Sequence, residues 1–112
     1  IDNNKIANRM AVKSLENAKK YLSEKELFYE TLEKCITVFL VTKFDFKNTD
    51  LVSEIINKKL SKIGVDKNTT DDLIIILNTC QYFKFTPNSE FDTTNDYNKS
   101  VEIIMNLQNF KL

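Results

Sequence analysis

A chain that holds one glycine and one proline in 112 residues has few means of making the tight, frequent turns of a β-sheet protein. Glycine supplies positive φ and proline a fixed φ, and sheet proteins use both at most reversals. The shortage points instead to helices joined by short polar links. Hydrophobic residues make up 42% and charged residues 29%, as in ordinary globular domains. A chain of this length is expected to form a single domain over residues 1–112 and to bury roughly two-thirds of its unfolded surface without staples.

The apolar spacing agrees. Ala7, Ala11, Leu15, Ala18 and Leu22 predict one helix face from about Asn4 to Leu22. Small residues dominate this face, so a neighbouring helix can come close. Ser23 and Glu26 have the Ser-x-x-Glu spacing of a capping box and predict the start of a second helix. Its stripe is Phe28, Leu32, Cys35, Ile36, Phe39 and Leu40, continuing to about Phe44. A link this short implies an antiparallel hairpin. The stretch from Lys43 to Lys47 alternates like a strand but is too brief for a sheet; we expect a connection with one Phe tucked inward. Asn48, Thr49 or Asp50 is expected to cap a third helix bearing Leu51, Val52, Ile55, Ile56, Leu60 and Ile63. That helix should stop at Gly64, with Val65 supplying the apolar contact of a left-handed cap.

Asn68 or Thr69 is expected to cap a fourth helix, with Asp71 and Asp72 near its positive end. Leu73, Ile74, Ile76, Leu77, Cys80 and Phe83 form its apolar set. The run from Leu73 to Leu77 would also suit a buried strand, but the flanking caps and the continuation to Phe83 favour helix. It should end before Pro87, which pushes the preceding residue out of helical geometry. A fifth helix follows, with Tyr97, Val101, Ile104 and Leu107 or Gln108 facing inward. The fold class predicted is all-α, a single five-helix bundle with short antiparallel connections.

The chemistry of catalysis is hard to find. The chain has no histidine, which removes the commonest general acid–base and metal ligand. A Ser-His-Asp triad, a Cys-His pair and histidine phosphotransfer are excluded with it. Cys35 and Cys80 both lie on apolar stripes without CxxC spacing, so they read as small buried hydrophobes rather than a redox pair, although spacing leaves a disulfide between them open. The segment from Asp66 to Asp72 has the acids of a calcium loop but lacks the glycine and closing glutamate that such a loop needs. Helix capping explains those acids more simply. Asp92 and Asp96 can share a helical face, as solvated carboxylates do. Asn68-Thr69-Thr70 and Asn98-Lys99-Ser100 match the glycosylation triplet, a pattern that arises by chance in Asn-rich chains. Lys58, Lys59, Lys62 and Lys67 gather near the third helix end, where cations complement the helix dipole. No Gly-rich loop exists to cradle phosphate. We expect no enzyme, no metal and no cofactor.

Charge and hydropathy narrow the partners. Sixteen Lys and Arg balance sixteen Asp and Glu, whereas nucleic-acid binders draw most of their affinity from a basic excess or face. No apolar run approaches the ~18–20 residues of a membrane span. Aromatic residues give the one positive sign of binding. Tyr82, Phe83 and Phe85 occupy three of four positions before Thr86 and Pro87, and a single helical face cannot bury all of them. Tyr21 and Tyr29 flank the first hairpin in a similar way. Exposed aromatics anchor interfaces, so Tyr82, Phe85, Tyr21 and Tyr29 are the candidate partner-binding residues.

Several fragments, in this order, resemble a known family. They are Ala18-Lys19-Lys20-Tyr21-Leu22, Phe28-Tyr29-Glu30-Thr31-Leu32, Leu60-Ser61-Lys62-Ile63-Gly64-Val65, the run from Leu77 through Cys80, Tyr82 and Phe85 to Pro87, and Tyr97. Spread over nearly the whole chain, they resemble the C-terminal region of BatD, the Bacteroides aerotolerance or oxygen tolerance membrane protein family. Thr86 departs from the pattern, where a small apolar residue is expected before the proline. The resemblance implies a parent with periplasmic β-rich domains, one membrane span and this segment on the cytoplasmic face of the bacterial inner membrane. It also implies protein partners, a MoxR-type AAA+ ATPase and von Willebrand factor A-type proteins. The chain begins at Ile1 and is accordingly expected to be a piece excised from the C-terminal end of a longer protein. On this reading it is a non-catalytic protein–protein interaction domain. The alternative is a free-standing tetratricopeptide-like adaptor, for which the first hairpin could serve as one repeat; no second copy recurs at the ~34-residue period. A third reading, a small-ligand-binding bundle, requires an apolar cavity.

Overall fold

The computed structural model describes residues 3–86 and 90–111. Within them lie α1 (Asn3–Lys19), α2 (Lys25–Phe44), a 3-10 turn (Asn48–Asp50), α3 (Ser53–Ile63), α4 (Lys67–Phe85) and α5 (Thr93–Asn109). The described residues contain no strand, and the run from Leu73 to Leu77 is helical. The fold is all-α, as the spacing predicts.

The long α2 organises the core. It packs against α1 on one side and against α4 and α5 on others, while α3 rests on α4. Ala7, Ala11, Leu15 and Ala18 are buried, and their small side chains let α1 lie close against α2. Every residue of the predicted α2 stripe is buried, and so are Tyr29 and Lys43. Past the helix end, Phe46 is the aromatic tucked inward.

The helix starts are where sequence and structure part. Ser23 and Glu26 form no capping box: α2 begins after Glu24, whose side chain makes no cap hydrogen bond. Two consecutive backbone turns cause this, with Tyr21 N–H donating to Ala18 and Glu24 N–H to Tyr21 at 2.9 and 2.8 Å. They leave Ser23 one residue too early to cap. Asn48, Thr49 and Asp50 do not cap α3 but form the 3-10 turn, and the N-cap is Val52. The Asp50 carboxylate is already engaged by the Lys47 N–H and the Lys59 ammonium, both at 2.8 Å. Of the stripe predicted for α3, Ile56 and Leu60 are buried, whereas Val52 and Ile63 are exposed.

Asp66, not Asn68 or Thr69, caps α4, accepting from the Thr69 N–H and hydroxyl at 3.0 Å each. Asp66 is the last residue in extended conformation, so Asn68 and Thr69 already sit in the first turn. Asp71 and Asp72 fall a turn deeper and pair with Lys67 and Lys99 at 2.8 and 3.1 Å. The boundary at Gly64 is as predicted. Gly64 has φ 97°, its N–H reaches Ser61, and the Val65 N–H reaches Leu60 at 3.0 Å, with Val65 buried behind it. The expected stop before Pro87 falls at the edge of the described residues: α4 ends at Phe85, and Pro87 lies outside them.

In α5, Ile103, Ile104 and Leu107 are buried, while Tyr97, Val101 and Gln108 are partly so. Thr93 and Ser100 also face inward, donating their hydroxyls to the Leu22 and Asp96 carbonyls at 2.6 and 2.7 Å. Satisfied in this way, a hydroxyl is cheap to bury.

Candidate binding surface

The four candidate aromatics do not share one surface. Tyr29 is 1% exposed, which corrects its place among partner-binding residues. Its ring packs against Phe28, Phe83 and Phe91 with centroids 4.9, 4.9 and 5.5 Å away, and its hydroxyl donates to Asp96 Oδ2 at 2.5 Å. A residue at this spacing is outward only if the helix carries a narrow apolar stripe. On α2 the stripe is broad because helices cover it on several sides. Tyr21 is partly buried against the core. Tyr82 and Phe85 are exposed, at 57% and 85%.

These two belong to a second stripe on α4. Leu73, Ile76, Leu77, Cys80 and Phe83 point into the core, whereas Ile75, Asn78, Tyr82 and Phe85 are exposed. Ile75 is 59% exposed. Its side chain, with Asn78, Thr79, Tyr82 and Phe91, borders a shallow cleft of about 370 Å³. The Tyr82 ring leans toward Phe91 at 6.0 Å. Sequence reasoning missed Ile75 as a surface residue. The signal was present, since four consecutive apolar residues from Leu73 to Ile76 cannot all face one side of a helix.

The remaining candidates resolve into local structure. Cys35 and Cys80 are free and buried, and burial pushes the Cys35 thiol up to about 12 and raises Cys80 as well. Neither is a thiolate at neutral pH. Asp92 caps α5 by accepting from the Asn95 N–H at 3.0 Å. Lys59 pairs with Asp50 and lies 5.1 Å from the Phe46 ring, and Lys67 pairs with Asp71; Lys58 and Lys62 are exposed. Among the described residues no group of three or more His, Cys, Asp or Glu could hold a metal ion. No described helix is long and apolar enough to cross a membrane.

Asp96 is a half-buried carboxyl that ties α5 to α2 through the Tyr29 hydroxyl. Burial pushes it above its ordinary value of 3.8, the Tyr29 hydrogen bond offsets part of that rise, and Asp92 adds to it. A carboxyl raised on folding holds its proton more tightly in the folded state. Its contribution to stability is therefore full below 3.8 and is lost as pH rises through the folded value. Asp96→Asn, which keeps an acceptor for Tyr29 without the charge, is expected to be more stable than the parent at neutral pH. The gap should shrink as pH falls toward the unfolded value. Urea midpoints across a pH series measure this; a variant less stable than the parent at neutral pH would show that the carboxylate itself is needed.

The geometry thus defines an all-α fold in which α4 leaves Ile75, Tyr82 and Phe85 exposed. Compared with protein families, curated proteins and solved structures, the chain matches none.

Proposed function

We propose that this chain is a non-catalytic protein–protein interaction domain that engages its partner through the outer face of α4. The observation that carries this reading is the joint exposure of Ile75, Tyr82 and Phe85 on one helix. Aromatic anchors are costly to leave in water and are enriched where partners bind. The absence of histidine and the burial of both thiols support binding over catalysis.

The setting we propose is the cytoplasmic face of an inner-membrane, BatD-like aerotolerance protein. It rests on the resemblance carried by the fragments from Ala18 to Leu22, Phe28 to Leu32, Leu60 to Val65 and Leu77 to Pro87. On that setting the partners are a MoxR-type AAA+ ATPase and von Willebrand factor A-type proteins. A pull-down with the purified chain against those two classes from the same cell tests the assignment. Enrichment of either supports it, and enrichment of neither sinks it.

A further inference from the structure

Charge is unevenly shared in this neutral chain. α1 carries Lys5, Arg9, Lys13 and Lys19 against one acid, Glu16, so the remainder of the chain is net acidic. Steps of four place Lys5, Arg9 and Lys13 along one side of the helix, about 6 Å apart along its axis. Ala7, Ala11, Leu15 and Ala18 occupy the buried side. Arg9 and Lys13 are exposed, and neither forms an ion pair among the described residues. Arg9 is also the only arginine of the chain. Its planar fork takes a carboxylate through two parallel hydrogen bonds, which an ammonium cannot do. Beside this line a cleft of about 850 Å³ opens between α1 and the last turn of α5, with Arg9, Val12, Lys13, Gln108 and Asn109 on its walls. Gln108 joins the two walls, its side-chain amide donating to the Asn8 carbonyl at 3.3 Å. Val12 is 50% exposed there, and Glu16 is the one carboxylate among the described walls. The cleft therefore combines an apolar spot with a positive excess.

We propose that the outer face of α1 and this cleft dock an acidic amphipathic helix of a partner protein. A helix laid in the groove between α1 and α5 sets carboxylates four residues apart against Arg9 and Lys13, whose own spacing is the same. An apolar side chain between those carboxylates covers Val12, as in other helix-in-groove contacts. A strand is not the occupant, because adding one requires an open sheet edge and the described residues contain no strand. A bilayer fits the face poorly. Helices that lie on membranes turn a continuous apolar face inward. α1 instead presents its cations in the middle, with Val12 on one flank and Ile6 and Met10 on the other. It also has no aromatic residue, so bases of a nucleic acid would find nothing to stack on. α1 packs chiefly against α2 and α5, which keeps this face distinct from Ile75, Tyr82 and Phe85 on α4.

The probe is a synthetic helical peptide with Glu at every fourth position along one side and Leu next to them. Added to the isotope-labelled chain up to about 1 mM, it is expected to shift the amide resonances of α1 and the last turn of α5 saturably. Those around Tyr82 and Phe85 should not move. Arg9→Glu with Lys13→Glu, both at exposed positions and checked for folding by circular dichroism, should weaken binding about tenfold or more. A peptide with Lys in place of Glu should bind that variant and not the parent. Tyr82→Ala with Phe85→Ala should leave the peptide affinity unchanged, so that failure of the α4 reading is seen separately. Vesicles of phosphatidylglycerol and phosphatidylcholine, and a single-stranded oligonucleotide, are titrated alongside. No saturable shift, shifts centred elsewhere, indifference to the charge reversal, or tighter binding to the vesicles or the oligonucleotide overturns the proposal. So does self-association of the chain that the same reversal abolishes, because a second copy would then be the occupant.

Discussion

Tyr29→Ala is expected to destabilise the fold by about 3–5 kcal/mol, the range for deleting a buried aromatic. The ring joins three elements. It is the hub of a cluster in which Phe28 lies on α2, Phe83 on α4 and Phe91 just before α5. Its hydroxyl also donates to Asp96 on α5, so truncation opens a cavity and strips a half-buried carboxyl of its donor together. Tyr29→Phe separates the two effects. It keeps the ring and should cost about 1–3 kcal/mol, the penalty for leaving a buried acceptor unpaired. That smaller loss should fade at low pH, where Asp96 takes up its proton, and should be reduced when Asp96→Asn is already present. Urea denaturation of the single and double variants gives the coupling. Additive losses would show that the hydroxyl and carboxyl do not act as a pair.

Lys43→Met is expected to cost about 1.5–3 kcal/mol, the scale of a hydrogen bond to a charged group. Lys43 is 6% exposed, and its ammonium donates to the Gln108 carbonyl at 2.8 Å. The same ammonium lies 5.9 and 5.8 Å from the Phe39 and Phe44 ring centres. It ties the end of α2 to the last turn of α5, where a cation also meets the negative end of the helix dipole. Methionine keeps the stem and removes the charge and the donor. Besides lowered stability, the amides in the last turn of α5 should exchange faster with solvent. Unchanged exchange there would mean that the ammonium does not hold that helix end.

Lys43 and Tyr29 also mark how far the sequence can be read. The stripes of α1 and α2 were legible because Ala7, Ala11, Leu15 and Ala18, and Phe28 through Leu40, repeat at helical intervals and are buried. Gly64 was legible because a left-handed residue favours glycine. The caps were not. Asp66, Asn68, Thr69 and Thr70 are all competent caps by residue type, and the choice of Asp66 follows from where the backbone leaves extended geometry. Lys43 reads as a surface residue by type. Its buried ammonium finds its hydrogen-bond partner in the carbonyl of Gln108, 65 positions away. Tyr29 looked like a flank of the hairpin because nothing local announces Asp96 as its partner, 67 positions on. Tyr82 and Phe85 were legible as surface candidates for a geometric reason: three aromatics in four positions exceed one helical face.

On the proposed function, the outer face of α4 engages a partner and does not hold the fold together. The direct measurement is a pair of readings on Tyr82→Ala with Phe85→Ala: stability by urea denaturation, and capture of the ATPase and von Willebrand factor A-type proteins. The expected result is stability within about 0.5 kcal/mol of the parent, as for exposed positions generally, together with loss of capture. A variant that folds less well yet captures its partners as the parent does would contradict it.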